Sequence, residues 1–136
     1  MALQASKLKP GDTHQERVVD NLTRTQIVQY AGASGDYNPI HSDEVYTTKV
    51  AGYPSVFAHG MLSMGLTGKM LTNYLGDGRL TKFGVRFTNQ VWPGDSLDSK
   101  ATVTAIKGGL VELEVVTTNQ DGKEVVRGYA EARIDP

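Results

Sequence analysis

The segment Asp36-Tyr37-Asn38-Pro39-Ile40-His41 brings a carboxylate, an amide and an imidazole together within six residues. Ser34 to His41 is rich in Gly, Asp, Asn and Pro, which favour turns, so these polar side chains are expected on a loop between helices. A loop on which such groups converge can hold a water molecule between a base and the group that orients it. The same residue types are ordinary in turns, so on spacing alone Asp36 and His41 fit a structural pair more readily than a catalytic one.

A second candidate is Ala58-His59-Gly60-Met61, at the start of an apolar helical stretch. The first backbone N–H groups of a helix have no intrahelical acceptor and sit at the positive end of its dipole. The Gly60 N–H can therefore meet developing negative charge, and the missing side chain lets an acyl group approach the backbone. Taken alone, Gly60 reads more simply as easing entry into the helix. Other chemistries find less support. His14 lies in a charged N-terminal segment and reads as a solvated surface residue. Asp36, His41 and His59 have no recognisable metal-ligand spacing, and no cysteine is present, so no metal is expected. Ser34 and Ser63 lie in no G-x-S-x-G elbow, and the chain has neither a dinucleotide-binding G-x-G-x-x-G turn after a strand nor a P-loop.

These residues need elements to hold them. A short strand is expected over 16–21, then a helix to about Ala33 opened by the capping box Thr23-Arg24-Thr25-Gln26. Ser42 is expected to cap a brief helix ending near Val50. Gly52 and Pro54 break the chain before a longer helix over 59–75, closed by Gly76 and Gly78. The period then changes to two. Phe83, Val85 and Phe87; Leu97, Ala101, Val103 and Ala105; Val111, Leu113 and Val115; and Val126, Ala130, Ala132 and Ile134 each alternate with polar neighbours. This predicts a meander of four long half-buried strands after a helical half. The 59–75 helix is the one element long and apolar enough to cover their apolar face, which gives an α+β architecture. Gly60, Gly65 and Gly68 each cost that helix about 1 kcal/mol relative to Ala, a penalty that close approach to the sheet would offset.

The 136 residues suit one domain spanning 1–136. Fourteen Lys and Arg are scattered among fifteen Asp and Glu, so no basic footprint for nucleic acid or an anionic membrane appears. The N-terminus lacks the apolar core of a secretory signal, and the stretch from Ala58 to Leu75 is interrupted by His59, Lys69 and Asn73, so no membrane span and a cytoplasmic location are expected.

Tyr30 to His41, Ala58-His59-Gly60-Met61, Val85-Arg86-Phe87-Thr88 and Pro93-Gly94-Asp95 together closely resemble the MaoC-like (R)-specific enoyl-thioester hydratases and dehydratases, with Ser34 to His41 similar to the hydratase 2 motif. The likeness runs from about Leu8 to the C-terminus. It is nearest to actinobacterial (3R)-hydroxyacyl-carrier-protein dehydratase subunits. Gln90 departs from the pattern, since many relatives have proline before the Pro-Gly-Asp turn.

The resemblance implies a hot-dog fold, a curved antiparallel sheet wrapped around the long helix. It implies (R)-specific hydration of trans-2-enoyl thioesters of coenzyme A or acyl carrier protein, and the reverse dehydration, in fatty acid metabolism and without a cofactor. Asp36 and His41 would form the catalytic pair, with Asn38 orienting it and Gly60 donating to the thioester carbonyl. Ser34, Tyr37, Pro39, Phe57, His59, Met61 and Ser63 would contact substrate, and Tyr46, Tyr53 and Met64 are further candidates for the acyl tunnel. A chain with one hot dog would pair through its sheet into a homodimer, or into a heterodimer with another hot-dog subunit. Two rival functions remain. One is thioester hydrolysis on the same fold, disfavoured by the Asp-x-Asn-Pro-x-His arrangement; the other is a non-catalytic acyl-binding subunit, opposed by the joint presence of Asp36, Asn38, His41 and Gly60.

Overall fold

A computed structural model describes residues 3–136. After a 3-10 turn at Ala5–Lys7, the elements run β1 (Thr13–Val19), α1 (Arg24–Ser34), a 3-10 turn at Pro39–His41, α2 (Glu44–Lys49), α3 (Gly60–Leu75), β2 (Leu80–Phe87), β3 (Leu97–Lys107), β4 (Leu110–Thr118) and β5 (Glu124–Arg133).

The five strands form one antiparallel sheet in the order β1-β3-β4-β5-β2. Alternation along β3 and β4 places Ala101, Val103, Val111, Leu113 and Val115 on the inner face, where they pack with Ala130 and Ala132 against Met70, Leu71 and Leu75 of α3. A second cluster joins Leu22 and Ile27 to Ala58, Val91, Leu97, Val125 and Val126 beside the start of α3. Sheet and helix thus bury each other's apolar faces, which is the hot-dog arrangement.

The capping box stands as expected: Thr23 Oγ1 accepts from Gln26 N–H and Gln26 Oε1 accepts from Thr23 N–H. Four details differ from the expectations. The first strand is Thr13–Val19 rather than 16–21. Asp43, not Ser42, caps α2, because its Oδ1 accepts from Tyr46 N–H at 3.0 Å; the two adjacent residues are both good caps and only backbone position chooses between them. Helix α3 starts at Gly60 with His59 as its N-cap. The strands after α3 do not form a four-stranded meander, since β2 pairs with β5 and only β3, β4 and β5 are sequential neighbours.

Glycine in α3 has a steric reason at two positions. A Cβ on Gly60 would stand 2.9 Å from the Phe87 ring, and one on Gly68 would stand 3.2 Å from Phe83. Gly65 has open space, so close approach does not explain it.

Candidate active site

Asp36, His41 and His59 meet where the loop after α1 passes the start of α3. Helix α1 ends at Gly35, whose left-handed φ of 75° turns the chain sharply into this loop. The next residues form a ladder of side-chain-capped turns. Asp36 N–H donates to Ser34 Oγ, Asn38 N–H to Asp36 Oδ1, and Ile40 N–H to Asn38 Oδ1, each at 3.2 Å. Helix α2 holds the far side of the loop, where the buried Thr47 hydroxyl sits 3.1 Å from Pro39 O and 2.6 Å from Asp43 O.

His41 sits on the expected polar loop but is buried, because Pro39 to His41 coils inward as a 3-10 turn. Its Nδ1 lies 2.6 Å from Phe57 O, and Phe57 N–H donates back to Ile40 O at 3.3 Å. A carbonyl only accepts, so Nδ1 carries the hydrogen and Nε2 presents a bare lone pair. Burial holds the His41 pKa below the usual imidazole range, with the neighbouring His59 acting in the same direction and the Phe57 hydrogen bond and Asp36 opposing. The ring is thus neutral and basic near pH 7. The Asp36 carboxylate, on an exposed residue, stays within reach: one nitrogen from each of His41 and His59 and one Asp36 oxygen all lie within 4.8 Å of one another.

These three residues could be asked to hold a metal ion. The rings of His41 and His59 are stacked face to face at 3.8 Å and 22°, so their in-plane lone pairs run side by side instead of converging on one point. The arrangement fits a proton-handling pair better than a metal ligand set.

A cavity of about 270 Å³ is lined by Phe57, Gly60, Ser63, Phe87, Gln90, Val125 and their neighbours; Asp36 and His41 do not line it, and Phe57, whose carbonyl meets the His41 ring, connects it to them. Of the expected substrate-contacting residues, Phe57 and Ser63 are on its wall, together with Gly60, the expected donor to the thioester carbonyl. Ser34, Tyr37 and Pro39 are exposed on the loop, and Ser34 braces Asp36. Met61 is 55% exposed at the start of α3, and His59 is only 2% exposed, behind His41. Asn38 uses its side-chain oxygen to cap the 3-10 turn that carries His41.

Sequence reasoning missed the wall formed by Phe87, Thr88, Asn89 and Gln90. Asn89 fixes it by donating from Nδ2 to Glu124 O at 2.7 Å. The available signal was the departure at Gln90, whose place on the cavity makes it a site difference as well as a local strand difference. What lies against the Gly60 backbone is the Phe87 ring, so the glycine admits an aromatic wall of the cavity. His14 also departs from its solvated reading, since it stacks on Tyr74 at 4.5 Å and 3° and bonds to Glu16 at 2.6 Å.

An antiparallel sheet wrapped around one long helix, with an Asp and a His brought together on the loop after α1, defines a hot-dog domain, and comparison with known proteins agrees. Residues 5–125 match the MaoC like domain, so the chain belongs to the MaoC-like family. It is 32% identical over 116 residues to 3-hydroxyacyl-thioester dehydratase Y of Mycobacterium tuberculosis, covering 83% of this chain and 39% of the relative. It is also 32% identical over 103 residues to the peroxisomal enoyl-CoA hydratase 2 of Arabidopsis thaliana, covering 74% of this chain and 32% of that protein. The chain thus spans between about a third and two fifths of the length of these two relatives. Among solved structures, the unliganded R-hydratase from Pseudomonas aeruginosa superposes with a TM-score of 0.86 at 28% identity, over 98% of this chain and 86% of that one. Among the described residues, no helix is long and apolar enough to cross a membrane.

Proposed function

We propose that the chain is a hydro-lyase that adds water to trans-2-enoyl thioesters with (R) stereochemistry, and catalyses the reverse dehydration, in fatty acid metabolism. The observation that carries this reading is the His41 tautomer. With Nδ1–H committed to Phe57 O, the bare Nε2 is a base at neutral pH, and an Asp36 carboxylate oxygen within 4.8 Å of the ring can orient one water. His41 takes a proton from that water as its oxygen adds at C3 of the enoyl group. Negative charge moves to the thioester oxygen, where the unpartnered N–H of Gly60 at the start of α3 donates to it. A proton from the pair then returns to C2, so the sum is one water added. Whichever member of the pair moves the proton first, this balance is conserved.

The relatives' printed activities, a 3-hydroxyacyl-thioester dehydratase and an enoyl-CoA hydratase, support the reaction class. Coenzyme A or acyl carrier protein serves as the handle of the substrate. The active form is a homodimer or a pair with a second hot-dog subunit, because Met61 and Phe87, the latter 50% exposed, leave apolar surface open beside the cavity. The test is a series of C4 to C20 enoyl-CoA substrates offered to the purified chain. Loss of enoyl absorbance without thiol release, giving the (R)-3-hydroxy product, supports the reading. Thiol release would mean hydrolysis, an (S) product would remove the family-based stereochemistry, and binding without turnover would mean an acyl-binding subunit.

A further inference from the structure

His59 is a second imidazole in the site, and the reaction above gives it no step. It is 2% exposed and packed behind His41, so it is poorly placed to touch an acyl group. As the N-cap of α3 it makes none of the usual side-chain capping bonds to its own helix. Its hydrogen bond goes instead across the site, with Nε2 3.1 Å from the backbone oxygen of Asp36. Because that oxygen only accepts, Nε2 bears the hydrogen and Nδ1 is bare; Nδ1 is also buried with no hydrogen-bond partner among the described residues. Leaving a buried polar atom unmatched costs about 1 to 3 kcal/mol, so a phenyl ring would be the expected occupant if filling space were the only requirement.

Three contacts say what the imidazole does there. One face stacks on His41 at 3.8 Å and 22°. Tyr30 of α1 meets the ring edge-on at 4.9 Å and 65°, which fixes its tilt. Nε2–H holds the peptide of Asp36. One rigid side chain, rooted at the first turn of α3 beside Gly60, therefore touches both members of the reacting pair by two independent contacts. We propose that His59 is a positioning residue that sets the separation of Asp36 and His41 relative to the Gly60 N–H, by stacking on the His41 imidazole and by gripping the Asp36 carbonyl. A shift of about 1 Å in such a geometry can cost on the order of 10²-fold in rate, so a device that ties the loop to α3 has catalytic value.

This inference rests on the hydro-lyase reading, and the two contacts can be separated by substitution. His59→Phe keeps a ring over His41 and removes the donor to Asp36. His59→Gln keeps a donor within reach of Asp36 and removes the ring. The ionisable groups facing this pair of imidazoles are Asp36 from the loop and Tyr30 from α1. In His59→Phe we expect kcat to fall about 10-fold or more, with KM near wild type. In His59→Gln we expect the acid limb to move to higher pH by roughly half a unit, because water reaches the face of His41 that the ring had covered.

Circular dichroism melts on the same preparations identify the variants that fold, and either one decides the matter. A folded His59→Phe with wild-type kcat, or a folded His59→Gln with an unmoved acid limb, overturns the proposal. So does an activity loss that equals the unfolded fraction. Asp36→Asn, assayed alongside, separates the two levels: if it too retains wild-type activity the hydro-lyase assignment itself fails, whereas if it alone is inactive only the role of His59 is lost.

Discussion

His41 Nδ1 and the carbonyl oxygen of Phe57, sixteen residues apart in sequence, lie 2.6 Å apart, and this bond sets both the tautomer and the orientation of the imidazole. Phe57 is also on the cavity wall, so one residue both shapes the cavity and orients the imidazole. Removing the bond should separate stability from chemistry in a measurable way.

The pH dependence follows from this burial. His41 titrates below the usual imidazole value of about 6.5, so as pH falls the unfolded chain takes up this proton before the folded one does. In that window the unfolded state binds more protons, and the contribution to stability declines. It is fully retained above about 6.5 and levels off below the folded-state value. Denaturant titrations from pH 5 to 8, on wild type and His41→Gln, check this: the acid-side loss should be smaller in the variant. The kcat/KM for hydration should stay level near pH 7 and fall on the acid side with an apparent pKa below about 6.5.

Asp36 and His41 should differ in what their loss does to the fold. Asp36 is an exposed residue, and Asp36→Asn keeps an oxygen for the Asn38 N–H, so its melting temperature should stay near wild type while kcat falls roughly 10² to 10⁴-fold. His41→Ala should cost a similar factor in rate and also about 1 to 3 kcal/mol of stability, because Phe57 O loses its donor in a buried site. Steady-state rates and melts on the same samples test the contrast. A folded Asp36→Asn that keeps more than about a tenth of wild-type kcat would refute the catalytic assignment.

Gly60→Ala is a test of the cavity wall. The new methyl would stand 2.9 Å from the half-exposed Phe87 ring, which must swing away. Stability should change by no more than about 1 kcal/mol, since alanine favours the helix while the ring is displaced. The rate should suffer more, by about 10-fold or beyond, because the wall of the acyl cavity and the first turn of α3 move together. Phe87→Leu combined with Gly60→Ala should recover part of the loss in kcat/KM. No recovery would show that the ring is not the obstacle.

Much of this arrangement was legible in the chain before any coordinates. The Asp36-x-Asn38-Pro39-x-His41 spacing is local, and so are the capping box at Thr23 and the alternation of Val111, Leu113 and Val115. What stayed hidden depends on long-range pairing. Period-two alternation tells which face of β2 is apolar, yet nothing in Leu80–Phe87 says that its neighbour is β5 instead of β3. Phe87 to Gln90 become cavity wall only once that pairing carries the end of β2 to α3. The burial of His41 is likewise invisible in a polar turn, because it is Phe57, sixteen residues away, that covers it.

The last prediction concerns the hydroxyls that tie α3 to the sheet below the cavity. Thr67 donates to Ser63 O at 2.9 Å, its Oγ1 lies 2.6 Å from Thr117 Oγ1, and Thr117 Oγ1 lies 2.6 Å from Ser99 Oγ. Each hydroxyl has one hydrogen, so with Thr67 committed to Ser63 O, Thr117 donates to Thr67 and Ser99 donates to Thr117. All three side chains are fully buried. Thr67→Val preserves shape but leaves Thr117 without its acceptor, and should cost about 1 to 2 kcal/mol. Thr117→Val should cost a similar amount, because Ser99 then loses its acceptor, with Thr67 standing 3.4 Å away. In the double variant the broken bond is counted once, so its loss should fall short of the sum of the two singles by roughly 0.5 kcal/mol or more. Urea denaturation of the four proteins measures this coupling, and strict additivity would mean that the three hydroxyls act independently instead of as one chain.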